Sequence, residues 1–115
     1  MNCTTTEEDG VLVVSLEGRL VAACADEVRE VILAQMERAP NVLLDLSGMV
    51  HIDSTGLGML VQLLQRATAL GGTVKIACLQ AHPRIVFDIT KAYRVFEIHD
   101  TVESARAAFA RAPGA

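Results

Sequence analysis

The hydrophobic pattern changes its period within residues 42–70, from that of a buried strand to that of a helix. Residues 42–46 read Val-Leu-Leu-Asp-Leu, a short and mostly apolar run that is typical of a buried strand. After a turn-like link at 47–49, one helical stripe recurs at spacings of three, four and seven. Its members are Leu57, Leu60, Val61, Leu64, Ala67 and Thr68. The pattern therefore predicts a central strand over 41–46 and a central helix over 54–70.

The rest of the chain alternates predicted strands with predicted helices. The strands are expected over 2–7, 11–16, 73–78 and, as a short piece, 94–98. The other helices are expected over 23–38, over 82–91 and after Thr101, which is a suitable N-cap. In the helix over 82–91, the side chains expected to face inward are Ile85, Val86 and Ile89.

This order of elements predicts an α/β fold in a single domain over residues 1–115. The turn signal Asp9-Gly10 joins the first two strands as a hairpin. Strands separated by helices are expected to be parallel, with right-handed crossovers. We therefore predict a small mixed sheet of four to five strands covered by about four helices. Residues 112–115 are expected to fray.

Composition and charge disfavour several classes of function. The net charge is −4 and there is no basic run, so direct binding to nucleic acid is not expected. No stretch approaches the roughly 18 apolar residues of a membrane span, and the polar start does not resemble a signal peptide. Cys3, Cys24 and Cys78 are too widely spaced for a disulfide framework or a zinc site. We expect a cytoplasmic protein without membrane insertion.

A small segment with hydroxyl groups lies where the central strand is followed by the central helix. Asp53, Ser54 and Thr55 all favour helix N-caps, and capping alone is one interpretation of them. The other is a modification site, because free N–H groups and the helix dipole favour a phosphate on Ser54 or Thr55. Gly56 and Gly58 each cost about 1 kcal/mol of helix propensity, and they leave the backbone open to another molecule. A simple cap does not need these glycines.

The remaining polar side chains do not predict an enzyme. Asp45 is interpreted as a hydrogen-bond acceptor, and Asp53 as a helix cap or as a Mg²⁺ ligand during phosphoryl transfer. No metal-ligand spacing and no nucleophile elbow accompanies the histidines at 51, 82 and 99. The glycines of the central helix are not followed by Gly-Lys-Ser or Gly-Lys-Thr, so they are not a P-loop. We predict no catalytic residue, no metal site and no cofactor.

The central helix carries a second apolar group beside its first stripe, at Met59, Leu63 and Leu70. The whole apolar arc covers about 200°, where a surface helix needs about 100°. One interpretation is that other helices cover this flank. The other, adopted for the partner-binding prediction, is that Met59 and Leu63 stay exposed beside Ser54, with His51 on the neighbouring surface. A phosphate inside such an interface could weaken binding by about two orders of magnitude or more.

Residues 44–58 resemble the central motif of STAS domains, most closely that of the bacterial anti-sigma factor antagonists. They read Leu-Asp-Leu-Ser-Gly-Met-Val-His-Ile-Asp-Ser-Thr-Gly-Leu-Gly. In that family, the hydroxyl residue after the Asp is phosphorylated by a partner that is both a serine kinase and an anti-sigma factor. The resemblance implies that Ser54, with Thr55 as the alternative, is the phosphorylated residue and Asp53 its neighbour. It also implies a STAS-like sheet covered by helices.

The same resemblance implies a partner-switching function. The unphosphorylated chain would bind the anti-sigma factor serine kinase, the phosphorylated chain would release it, and a serine phosphatase would restore the first form. We expect a monomer that pairs with the kinase. In this interpretation phosphoryl transfer is done to the chain and not by it.

The chain departs from the family pattern at one position. These antagonists commonly have Gly-x-Leu followed by Asp beside the switch residue, whereas here Gly18-Arg19-Leu20 is followed by Val21. Val21 cannot supply that carboxylate, and Asp26 lies too far along the first helix to replace it. An alternative function therefore stays open, that of a non-switching STAS scaffold subunit in another signalling or lipid-transport complex.

Overall fold

The computed structural model describes residues 1–110, which form six strands, four α-helices and one 3-10 turn. The strands are β1 (Asn2–Glu8), β2 (Val11–Leu20), β3 (Asn41–Asp45), β4 (Met49–Ile52), β5 (Val74–Ala77) and β6 (Glu97–His99). The helices are α1 (Ala22–Met36), α2 (Ser54–Ala69), α3 (Ala81–Thr90) and α4 (Val102–Ala110), with the 3-10 turn at Ala92–Arg94. The fraying predicted for residues 112–115 lies outside the described residues.

The sheet is mixed, as the alternation of strands and helices predicts. β1 pairs antiparallel with β2, and every other pair of strands in the described residues is parallel. The main order is β1-β2-β3-β5-β6, and β4 pairs with the end of β2, where Leu20 lies opposite Ile52. The α/β fold class is confirmed. β4 was not predicted from the sequence, because its four residues are too few to give a clear alternation of apolar and polar positions.

Different helices cover the two faces of the sheet. One core joins the strands to α1, α2 and α3, and its largest fully buried side chains include Leu12, Leu44, Ile32, Leu60 and Phe87. The other, smaller core joins the sheet to α4, through Leu43, Ala77, Ala105 and Phe109. Since neighbouring residues of a strand point to opposite faces, α4 lies on the far side of the sheet from α2. β3 is therefore buried on both faces, as its apolar run predicts.

The orientation of α3 differs from the expected one. Ile85 and Ile89 were expected to face inward, but both are exposed, and Val86 is only partly buried. The side chain that enters the core is Phe87, whose ring lies 6.0 Å from the ring of Phe96. The helix is apolar on two sides, so periodicity alone could not identify the buried one. The larger aromatic side chain occupies the core because it buries more apolar surface.

Candidate functional site

The candidate site is the N-terminus of α2, which begins at Ser54 two residues after β4 ends. Ser54 and Thr55 are both exposed, and neither hydroxyl is hydrogen-bonded to another residue within 1–110. The N-cap is Asp53, whose Oδ1 accepts a hydrogen bond of 2.7 Å from the Gly56 N–H. Capping by Asp53 therefore leaves both hydroxyls accessible to a partner.

Asp53 also contacts the start of α1. Its Oδ2 accepts a hydrogen bond of 3.0 Å from the Ala22 N–H, the first amide of that helix. Its own N–H donates to the Leu20 carbonyl at 3.2 Å, at the end of β2. Val21, the residue before α1, has no side-chain group that could cap it. One carboxylate thus caps two helices and supplies the acceptor that Val21 lacks.

The backbone donors around Asp53 favour its ionised form. The N–H of Gly56, and less strongly those of Ala22 and Thr55, lower the pKa of Asp53, while desolvation opposes the shift. The carboxylate is therefore charged at neutral pH, and a phosphate on Ser54 would add its charge beside it. Because both carboxylate oxygens accept backbone hydrogen bonds, the geometry favours the capping role of Asp53 over a metal-binding role.

The two glycines of the first turns differ in their surroundings. Gly56 is buried, and a Cβ there would overlap the Leu20 carbonyl oxygen and lie 3.0 Å from the Leu20 carbonyl carbon. The expectation that Gly56 leaves the backbone open to another molecule is wrong, because β2 of the same chain makes the close approach. Gly58 is exposed, and a Cβ there would have no heavy atom within 4 Å. Gly58 alone keeps an open backbone surface.

The partner-binding prediction for Met59 and Leu63 is wrong. Met59 is 2% exposed and Leu63 is fully buried, and both belong to the core that joins α2 to the sheet and α1. On the solvent side, Arg29 of α1 donates a 2.9 Å hydrogen bond to Gln62. Because α2 packs against both the sheet and α1, it buries a wider arc than a helix that packs against a sheet alone.

His51 extends the site from β4 towards α3. Its ring is partly buried and lies 5.6 Å from the ring of His82, in the first turn of α3. This contact could not be predicted from the sequence, because the two histidines are 31 positions apart and no local pattern links them. The partner-binding role of His51 stays a prediction.

A second polar group links β6 to α4 on the far side of the sheet. The His99 ring lies 2.8 Å from the Ser104 hydroxyl and 2.5 Å from Glu97, and Glu97 also pairs with Lys75 at 2.9 Å. The hydrogen bond from Lys75, followed by that from His99, lowers the pKa of Glu97. This network combines a hydroxyl, an imidazole and a carboxylate, and it was not predicted from the sequence. Since Lys75 shares the carboxylate, we interpret the network as a structural link.

Within 1–110 there is no group of three or more His, Cys, Asp or Glu side chains that could hold a metal ion. Nor does any helix in that range have the length and apolar character needed to cross a membrane.

Comparison with known proteins identifies one family. The STAS domain matches residues 2–105. A relative from Bordetella bronchiseptica, BtrV, is named as a candidate anti-sigma factor antagonist and is 29% identical over 110 residues, 95% of each chain. A candidate anti-sigma factor antagonist of Thermotoga maritima superposes with a TM-score of 0.87 at 21% identity, over 92% of each chain.

A further solved structure, that of the anti-sigma factor antagonist SpoIIAA in its unphosphorylated form, has the same fold. It superposes with a TM-score of 0.74 at 16% identity, covering 96% of this chain and 98% of its own. At such identities, the likeness to the two solved structures establishes the fold and not the function.

Proposed function

The chain belongs to the STAS domain family, and from this premise we propose that it is an anti-sigma factor antagonist switched by phosphorylation of Ser54. The unphosphorylated chain binds an anti-sigma factor serine kinase, and the phosphorylated chain releases it until a serine phosphatase removes the phosphate. The observation that carries the proposal is the exposed Ser54 hydroxyl at the start of α2, directly after Asp53. The name of BtrV supports the antagonist part of the proposal.

In the proposed phosphorylation step the chain is the substrate. The Ser54 Oγ attacks the γ-phosphorus of ATP held by the kinase, its proton passes to a base of the kinase, and ADP leaves. Asp53 is not that base, because its two oxygens accept hydrogen bonds from Gly56 and Ala22. Its role is to hold the first turn of α2 in place for the kinase. Thr55 is also exposed, and we choose Ser54 because it directly follows Asp53.

The proposed release depends on charge. A phosphate on Ser54 adds nearly two negative charges at neutral pH, beside a carboxylate that is already ionised. The N-terminus of a 16-residue helix stabilises this charge in the free chain. A partner surface that is apolar or acidic gains no such compensation. Since about 1.4 kcal/mol changes an affinity tenfold, a penalty of a few kcal/mol is enough for release.

Val21 favours a second function, that of a STAS scaffold subunit that does not switch. Its aliphatic side chain precedes α1, next to the contact between Ala22 and Asp53. A kinase that recognises a carboxylate at this position would phosphorylate Ser54 slowly or not at all. In this second function the chain presents one constant surface to its complex.

The test combines phosphopeptide mass spectrometry on native cells with binding of variants to the purified anti-sigma factor serine kinases of the same organism. We expect a phosphate on Ser54 that varies with growth conditions. Ser54→Ala should bind a kinase as the wild type does, and Ser54→Asp should bind at least about tenfold more weakly. Ala107→Asp is the control for the added charge, because Ala107 is exposed on α4, on the opposite face of the sheet, and its side chain makes no hydrogen bond that the substitution would break.

Two other outcomes have defined meanings. A phosphate on Thr55 keeps the mechanism and changes the residue. An unmodified peptide under every condition, together with equal affinities of the Ser54→Ala and Ser54→Asp variants, contradicts the switch and supports the scaffold function.

A further inference from the structure

The main group of exposed apolar side chains lies on α3 and the turn that follows it. Ile85 and Ile89, which are one helical turn apart, are 53% and 76% exposed, and Tyr93 and Val95 are 47% and 56% exposed. These four residues, here named the α3 face, lie within 11 positions of the chain. Because Phe87 already anchors α3 in the core, the fold itself does not need a second apolar side on this helix.

Basic residues are interspersed along the chain among the residues of the α3 face, although the chain as a whole is acidic. Between positions 81 and 95, Arg84, Lys91 and Arg94 accompany a single acidic residue, Asp88, whereas the chain carries a net charge of −4. None of these three cations is in an ion pair within residues 1–110. Of the six basic residues elsewhere in that range, five are paired with carboxylates: Arg29, Arg38, Arg66, Lys75 and Arg106. Arg84 donates a hydrogen bond of 3.3 Å to the Leu79 carbonyl, whereas Lys91 and Arg94 are exposed. These three residues, here named the basic rim, can therefore meet external carboxylates mainly through Lys91 and Arg94.

The α3 face continues towards the candidate phosphorylation site. His82 precedes Ile85 by three positions and Ile89 by seven, so the three side chains share one side of α3. The His82 ring contacts the His51 ring, and His51 lies two residues before Asp53 on the segment that leads to Ser54. A partner that covers Ser54 can therefore extend along α3 without leaving the surface.

We propose that the α3 face is the docking surface for the partner that engages Ser54, and that this partner presents an apolar segment flanked by Asp or Glu. The inference rests on the proposed function and names the chemistry of its partner. Charge favours this occupant over a second copy of the chain, because two α3 faces would bring like-charged rims together. An acidic partner also explains why a phosphate on Ser54 would weaken binding, since the Asp or Glu residues of the partner repel the added negative charge.

The test places a photoreactive benzoylphenylalanine at position 89 or at position 31, in the full chain expressed in native cells. Val31 on α1 is the matched control, because it is also an exposed aliphatic side chain on a helix, 47% accessible. We expect position 89 to cross-link to an anti-sigma factor serine kinase, at a segment with apolar residues next to Asp or Glu. Position 31 should give no such product. Cross-links from position 89 to a second copy or to an unrelated protein, or none at all, overturn the proposal.

Phosphopeptide analysis of the same cells separates this inference from the proposed switch. Phosphorylated Ser54 without a cross-link from position 89 leaves the switch intact and overturns the docking surface. A kinase cross-link from position 89 with Ser54 unmodified throughout supports the docking surface and contradicts the switch.

Affinities for the cross-linked kinase, once purified, test the energetic part. Ile89→Glu should weaken binding about tenfold or more, because it places a carboxylate against an acidic partner. Val31→Glu should change affinity less than about twofold. Replacing Lys91 and Arg94 together by Gln should weaken binding and flatten its dependence on salt. Thermal unfolding measured by circular dichroism checks that each variant is folded.

Discussion

Gly56 and Gly58 lie two residues apart in α2, but only Gly56 touches another element. An added methyl group at Gly56 would overlap backbone atoms of Leu20, which cannot move unless α2 separates from β2. We expect Gly56→Ala to lower the free energy of unfolding by about 1–3 kcal/mol or more, even after the gain in helix propensity. Gly58→Ala should raise it by up to about 1 kcal/mol, because the space there is open. Urea unfolding of both variants measures the difference.

Similar effects of the two substitutions would contradict a close contact between α2 and β2. A loss of stability at both positions would instead indicate that the first turns of α2 are strained as a whole. Gly58→Ala also supplies a stable variant in which the open backbone surface beside Ser54 is filled.

The sequence alone could predict the residues of the candidate site but not all of their contacts. Asp53, Ser54 and the two glycines stand out because their types and spacing are local properties of one segment. The contact of Gly56 with Leu20 joins positions 36 residues apart, and no periodic pattern encodes it. The burial of Met59 and Leu63 likewise depends on where α1 packs. The wide apolar arc of α2 was predicted correctly from the sequence. Which elements pack against that arc became clear only from the fold.

Asp53 caps the N-termini of two helices, α1 and α2, and its removal should destabilise the first turn of each. Asp53→Ala leaves the Gly56 and Ala22 amides without their acceptor. A lost N-cap costs about 0.5–2 kcal/mol, so we expect the free energy of unfolding to fall by about 1–4 kcal/mol at neutral pH. Asp26→Ala is the control, since Asp26 makes only an exposed ion pair with Arg29 and should cost less than about 1 kcal/mol.

The effect of Asp53→Ala should depend on pH in a defined direction. The pKa of Asp53 is lowered in the folded chain, relative to an ordinary value of about 3.9. Its contribution is therefore complete above that value and is lost as pH falls through the folded pKa. Denaturant unfolding from pH 7 to pH 2 should give a constant gap between wild type and variant above about pH 5, which narrows below about pH 4. A gap that stays constant at the acidic end would exclude the charged cap.

For the helices, the sequence predicted the first and last residues better than the side that faces the core. The central helix, predicted over 54–70, is Ser54–Ala69, and the helix predicted over 82–91 is Ala81–Thr90. Period and cap residues are sufficient for such boundaries. The prediction of which side of α3 faces the core was wrong, because apolar residues lie on both sides of that helix. The side that faces solvent carries Ile85 and Ile89 and is part of the surface proposed above for docking a partner.

The two faces of the sheet separate the proposed switch from the rest of the molecule. α2 and the contact between Asp53 and Ala22 lie on one face, whereas α4 packs against Leu43 and Ala77 on the other. The strands between them are closely packed and fully buried at their centre. A charge added at the exposed Ser54 hydroxyl displaces no buried group. The proposed switch therefore needs a change of surface charge and no rearrangement of the fold.

This local character can be tested with the chain alone. Genetically incorporated phosphoserine at position 54 should shift the backbone amide resonances of Gly56 and Ala22, since both amides bind the neighbouring Asp53. The amides of α4, including those of Ala105 and Phe109, should keep their positions in a ¹⁵N–¹H correlation spectrum. Phosphoserine at position 104 should give the reverse pattern, because Ser104 lies in the first turn of α4.

Shifts that spread from position 54 into α4 would contradict a switch confined to one face. They would indicate that the sheet has two discrete arrangements and transmits the modification through its core. An unchanged resonance at Ala22 would instead contradict a coupling between the N-termini of α1 and α2. That coupling depends on the single 3.0 Å hydrogen bond from the Ala22 N–H to Asp53. If the shifts stay close to position 54, the phosphate acts only on the surface that a partner would contact. That surface is formed by Ser54, His51 and the α3 face.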